Sequence, residues 1–102
     1  MNSNDVLLSL YSRTNQSSQQ VLLRTNGNSY LNGGNVGIGT TSPGAKLDIE
    51  STTSGVLLPR MTTAQVNAIS SPSNGLTVYN TTLNTLCFYN GSSWQKVSHT
   101  NM

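Results

Sequence analysis

Short apolar runs separated by polar turns organise this chain. Residues 6–12 (VLLSLYS) and 21–24 (VLLR) read as two strands around the polar loop RTNQSSQQ, with Leu8 and Leu10 on one face and Leu7 and Tyr11 on the other. Residues 25–34, TNGNSYLNGG, carry turn chemistry, and Asn26-Gly27 is a strong hairpin signal. Val36 and Ile38 then alternate with Gly37 and Gly39, and after the turn TTSPG, Leu47 and Ile49 alternate with Asp48 and Glu50. Residues 35–50 therefore predict two short strands around a turn.

STTSG (51–55) is a linker where the composition shifts, and VLLP (56–59) is extended because the residue before proline is pushed out of the helical region. One helix of about two turns is predicted within RMTTAQVNAISSP. Thr62 and Gln65 have capping-box spacing there, Met61 or Ala64, Ala68 and Ile69 supply its apolar stripe, and Pro72 closes it. LTVYN, TLCFYN and WQKV complete a β-meander, with Leu76 and Val78 opposite in sense to Thr77 and Tyr79, and Leu86 and Phe88 opposite to Cys87 and Tyr89. The fold class is mainly β, in two parts: residues 1–55 as a β-rich segment and 56–102 as a compact helix plus three-stranded meander.

Composition changes this picture in one respect. Ser, Thr, Asn and Gln make up 46 of 102 residues (15, 13, 13 and 5), apolar residues 34% and charged residues 8%. That is little core for a domain this small, and disorder is disfavoured because the net charge is only +2 and the apolar residues cluster. Such a chain can borrow core by associating with identical copies.

Charge and chemistry exclude more than they suggest. Arg13, Arg24, Lys46, Arg60 and Lys96 are scattered, which is no nucleic-acid footprint. No apolar stretch spans a bilayer, and the N-terminus lacks the pattern of a leader. The single Cys87 forms no intrachain disulfide and reads as a buried small hydrophobe. NVGIGTTSPGAKLDI imitates a phosphate loop through Gly39, Gly44 and Lys46. The motif requires lysine immediately after the second glycine and then Ser or Thr, whereas Ala45 intervenes and Leu47 follows. A dinucleotide fingerprint fails as well, since Ser42 stands where the third glycine belongs.

Asp5, Asp48 and Glu50 are the only carboxylates and His99 the only imidazole, with no nucleophile elbow around any serine. No enzyme, cofactor or metal site is expected. Tyr79, Phe88, Tyr89 and Trp94 gather in the meander as core, or as a platform for a sugar ring, with Tyr89 and Trp94 the candidate receptor contacts. Sequons at Asn15, Asn80 and Asn90 arise by chance in so polar a chain, and no glycosylation is inferred.

GNVGIGTTSPGAKLDI, followed by VLLPRMTTAQVNAISSPSNGLTVYN and LCFYNGSSWQKV, closely resembles modules of bacteriophage tail fibres and related virion fibres. The first stretch resembles the repeat found upstream of tail-spike intramolecular chaperone domains, the second a small module of fibre and adhesin-like proteins. The resemblance covers about 35–97.

It implies an intertwined homotrimeric β fibre segment with a small meander at its end, located on the virion. Its partners would be its own copies, other virion proteins and a host-surface glycan, without nucleic acid or membrane insertion. Val36, Gly37, Ile38, Gly39, Leu47 and Ile49 would then be the assembly residues, the glycines allowing close backbone approach at a threefold axis. Turns 80–84 and 90–93 would face outward, where receptor contact occurs. A glycan-reading module, a capsid-decorating protein and a bacterial surface adhesin fit the same strands. No chaperone or protease domain follows in this chain, so an excerpt of a longer fibre and a short free-standing protein both remain open.

Overall fold

The computed structural model describes residues 21–23 and 25–102. The strand expected over 6–12 lies outside them. The chain divides into two units, Met1–Glu50 and Ser51–Met102.

In the first unit, β1 (Val21–Leu22) pairs antiparallel with β2 (Tyr30–Leu31), in the register Val21↔Leu31. The Asn26-Gly27 signal does mark a hairpin turn, and Gly27 adopts φ 105° there. The region 25–34 is thus not turn throughout, because Tyr30 and Leu31 form the return strand.

β3 (Val36–Ile38) and β4 (Leu47–Ile49) are the two strands expected around TTSPG, and they run parallel. Their register is Val36↔Leu47, Gly37↔Asp48 and Ile38↔Ile49. Val36 N–H donates to Lys46 C=O (2.8 Å) and Glu50 N–H to Ile38 C=O (2.9 Å), closing both ends of the ladder. Parallel neighbours usually need a crossover of about a dozen residues or more. Here residues 39–46 suffice, because each strand is only three residues long.

The second unit is a four-stranded sheet in the order β5-β6-β7-β8. Its strands are β5 (Arg60–Met61), β6 (Thr77–Asn80), β7 (Thr85–Tyr89) and β8 (Trp94–Lys96). The last three form the expected antiparallel meander. β5 is an addition: Arg60 and Met61, expected at the helix start, pair parallel with Tyr79 and Asn80.

The helix α1 (Thr63–Asn67) begins where the sequence places it. Thr62 Oγ1 accepts from Gln65 N–H and Gln65 Oε1 accepts from Thr62 N–H, the reciprocal capping box. It ends sooner than expected, at a cap on Ala68, four residues before Pro72, and Ser71 directly before the proline adopts φ 47°. Its buried residue is Val66, while Ala64 and Ala68 lie exposed and Ile69 half-buried.

Val66, Val78 and Cys87 form the buried apolar core, with Met61 and Trp94 packed against it. Cys87 is buried as a small hydrophobe. Phe88 is not core, being 39% exposed on the other side of the sheet.

The candidate assembly surfaces

Four apolar side chains meet on one face of the parallel pair. Strand neighbours in register share a face and alternate residues share it too, so Val36, Ile38, Leu47 and Ile49 form one patch. Gly37 and Asp48 occupy the opposite face. The patch is open: Ile38 is 55% and Leu47 58% exposed. Gly37 and the apolar four therefore cannot both face one axis, and only the apolar four have side-chain surface to bury.

The glycines have reasons inside a single chain. A Cβ on Gly37 would collide with the Thr40 carbonyl oxygen, and one on Gly39 with the Glu50 carbonyl oxygen. Gly39 also sits at φ 81°, where an L side chain is strained. Both residues let the chain leave β3 sharply and return as β4. That requirement holds whether or not a sister chain approaches.

Lys46, the residue that imitates a phosphate-binding lysine, is used as a tie. Its Nζ donates to the carbonyls of Gly33 (2.9 Å) and Gly34 (3.0 Å). Asp48 Oδ2 accepts from Gly44 N–H (2.9 Å), and Thr40 Oγ1 accepts from Ser42 N–H (3.1 Å). The loop's polar side chains are spent on its own backbone, in a short parallel connection with no helix behind it.

In the second unit the two sheet faces differ. Val78, Asn80, Thr85 and Cys87 point to the side covered by α1 and are buried. Asn80 is 2% exposed and fully used. Its Oδ1 accepts from Thr82 N–H (2.9 Å) and Leu83 N–H (3.0 Å), and its Nδ2 donates to Thr63 Oγ1 (3.0 Å). One amide thus fastens the β6–β7 turn to the start of α1, and its burial leaves no room for a glycan at that sequon. Thr85 Oγ1 donates to Val97 C=O (2.7 Å), holding the chain beyond β8.

Among the described residues, none covers the opposite face. Tyr79 and Leu86 are register partners, Val97 N–H bonds Leu86 C=O (2.9 Å), and Phe88 lies two residues along from Leu86. Leu86 and Val97 are 40% and 41% exposed. Sequence periodicity separates these residues from Val78 and Cys87 but does not say which set α1 covers. Val66 was the missing clue, since it alone of α1 is buried.

Tyr89 and Trp94, the sequence candidates for receptor contact, are register partners beside the 90–93 turn. Their rings pack edge to face at 5.5 Å and 66°. Both are half-buried, and Trp94 also lines a cleft of about 530 Å³ with Asn67, Leu83, Gln95 and Lys96. Turns 80–84 and 90–93 join successive strands of a meander and so lie at opposite ends of the sheet. One protomer cannot offer both to a single small epitope. Among the described residues no cluster of three His, Cys, Asp or Glu could hold a metal ion, and no helix is long and apolar enough to cross a membrane.

Open apolar faces on a chain with so small a core are what an obligate self-associating module presents. A family model described as a phage tail like trimerisation region matches residues 37–102, more than half of the chain. The chain belongs to this family. No curated protein and no solved structure matches it.

Membership makes the chain a structural component of a phage tail, a virion protein that associates with itself as a homotrimer. The trimerisation-region match begins at Gly37, so it takes in most of β3, all of β4 and the whole second unit.

Proposed function

We propose that this chain is a non-enzymatic segment of a phage tail fibre on the particle surface. Three copies close around an axis through β3 and β4, and the outer turns contact the host. The observation that carries the axis is the patch of Val36, Ile38, Leu47 and Ile49, four apolar side chains on one face of a strand pair that no described residue covers. Water is expelled from such a face when another apolar face meets it, and an equivalent face of a sister copy is one that the homotrimer supplies. Bringing parallel strand pairs together around an axis also occupies edges that would otherwise pair indiscriminately. A structural role is further supported by the use of Lys46 and Asp48, whose side chains tie the loop instead of facing a substrate.

Val36→Asp tests the placement. Sedimentation of the purified chain should show the trimer lost in this variant, and an intact trimer would refute an axis through β3 and β4.

A second reading of the distal unit is favoured by Trp94. It stands half-buried in a cleft with Asn67, Gln95 and Lys96, an apolar ring among hydrogen-bonding groups, which suits a saccharide. Host contact would then run through the 90–93 end of the sheet, with other virion proteins holding the fibre elsewhere. Glycan-array binding that vanishes in Trp94→Ala while circular dichroism is retained supports this. Loss of the fold in that variant returns Trp94 to the core alone.

A further inference from the structure

We propose that the open face of the four-stranded sheet, built on Tyr79, Leu86, Phe88 and Val97, is the surface by which the second units of three copies pack together. The proposal rests on the homotrimer and adds to it a contact separate from the β3–β4 patch.

Three observations single out a copy of this chain as the occupant. First, the face is apolar at its centre and charged only at its rim. Leu86 lies between Tyr79 and Val97, Phe88 lies between the uncharged Thr77 and Gln95, and Arg60 stands on the edge strand next to Tyr79. Second, residues 51–102 contain no Asp or Glu. A contact between identical units cannot then rest on ion pairs within this region, and an uncharged centre is what like-with-like packing requires. Third, α1 buries only Val66, Val78 and Cys87 against the sheet's other face. A unit of this size with three buried apolar residues lacks the core to stand alone, and a second buried face supplies it. The trimerisation match includes every residue of the face.

The face is distinct from the Trp94 cleft. Trp94 pairs with Tyr89 and packs on the Val78–Cys87 side, so the cleft adjoins the Leu86 face only at Gln95.

Leu86→Asp in the full chain tests this by sedimentation at micromolar concentration, with far-ultraviolet circular dichroism and Trp94 fluorescence as checks of fold. The wild-type chain should run as a trimer. In the variant, association should weaken by roughly two orders of magnitude because a carboxylate is carried into an apolar contact, with both spectra unchanged. A variant trimer as stable as wild type overturns the proposal, whatever else then covers the face.

Hydroxyl-radical footprinting of the unaltered trimer decides the matter should the variant fail to fold. Leu86 and Phe88 should be shielded several-fold relative to Leu83, whose exposure in the single chain is similar at 46%. Equal labelling overturns the proposal. A wild-type monomer would instead contradict the homotrimer itself, and an intact Val36→Asp trimer only the β3–β4 axis, so the failures are distinguishable.

Discussion

Asn80 and Asn90 play the same local part in two turns of one sheet, and differ in burial. Asn90 Oδ1 accepts from Ser92 N–H and Ser93 N–H (both 2.9 Å), as Asn80 Oδ1 accepts from Thr82 and Leu83. Asn90 is exposed, whereas Asn80 is 2% exposed and also donates to Thr63 Oγ1. Replacing either by alanine removes the side-chain partners. At position 90 water replaces them, so the cost should stay at about 1 kcal/mol or less. At position 80 three partners are lost, at about 1 kcal/mol each, and the vacated amide volume cannot fill freely. Asn80→Ala should therefore cost about 3 kcal/mol or slightly more. For a small domain each kcal/mol lowers Tm by roughly 4–8 °C, so Asn80→Ala should melt more than ten degrees lower and Asn90→Ala only a few. Thermal unfolding followed by circular dichroism, at one protomer concentration because an oligomer's Tm depends on it, measures both. Equal losses at the two positions would refute the claim that burial of the Asn80 amide joins α1 to the sheet.

Gly39→Ala should destabilise the β3–β4 unit by about 2 kcal/mol or more, since positive φ alone costs about 1–2 kcal/mol and its Cβ strikes Glu50 as well. Gly55→Ala, with nothing within 4 Å, should be silent, and equal Tm values for the two would count against the intrachain reason for Gly39. Lys46→Met should leave nucleotide binding at zero in calorimetry, as in the wild type, while raising hydrogen exchange at 33–46; heat released with nucleotide by the wild type would contradict its role as a tie. Trimer dissociation, followed by sedimentation, should be little changed between low and molar sodium chloride and resisted more in sulfate, because apolar contacts are unscreened and strengthened by excluded salts. Marked dissociation in sodium chloride would show that ion pairs hold the copies.

What could be read from the residues was local. Thr62 and Gln65 announce the capping box three positions apart, Asn26-Gly27 announces its hairpin, and period-two alternation marks β3, β4, β6, β7 and β8. Strand direction was not legible, since alternation is identical for parallel and antiparallel neighbours; β3 and β4 are parallel only because the loop 39–46 folds back across its own start. β5 was missed because two residues, Arg60 and Met61, carry no period of their own and are fixed by pairing with Tyr79 and Asn80 far along the chain. Length misled at α1, where Ile69, Ser70 and Ser71 are poor helix formers and the helix already caps at Ala68. The open face of Leu86 and Phe88 was hidden for a related reason: both faces of the meander alternate equally well, and only the seat of Val66 tells which one is covered.

The abundance of uncharged polar residues then has a mechanical explanation. Asn80 and Asn90 shape the two turns of the meander, Thr62 starts the helix, and Ser51 Oγ accepts from Thr53 N–H and Ser54 N–H in the linker. Thr40 and Asp48 close the loop between the parallel strands. Each short side chain satisfies backbone groups that a two- to five-residue strand cannot pair by itself. Turns made this way cost no apolar residues, which leaves the few available for surfaces. Among them, Val66, Val78 and Cys87 are buried within one chain, the four of β3 and β4 are open on one unit, and Tyr79, Leu86, Phe88 and Val97 are open on the other, while Val56, Leu57 and Leu83 stand exposed outside these sets. A monomer would gain by moving the open sets inward, whereas a trimer gains only if they stay out. The division of apolar residues between the chain's own core and its copies is thus the physical form that a trimerisation region takes in this sequence.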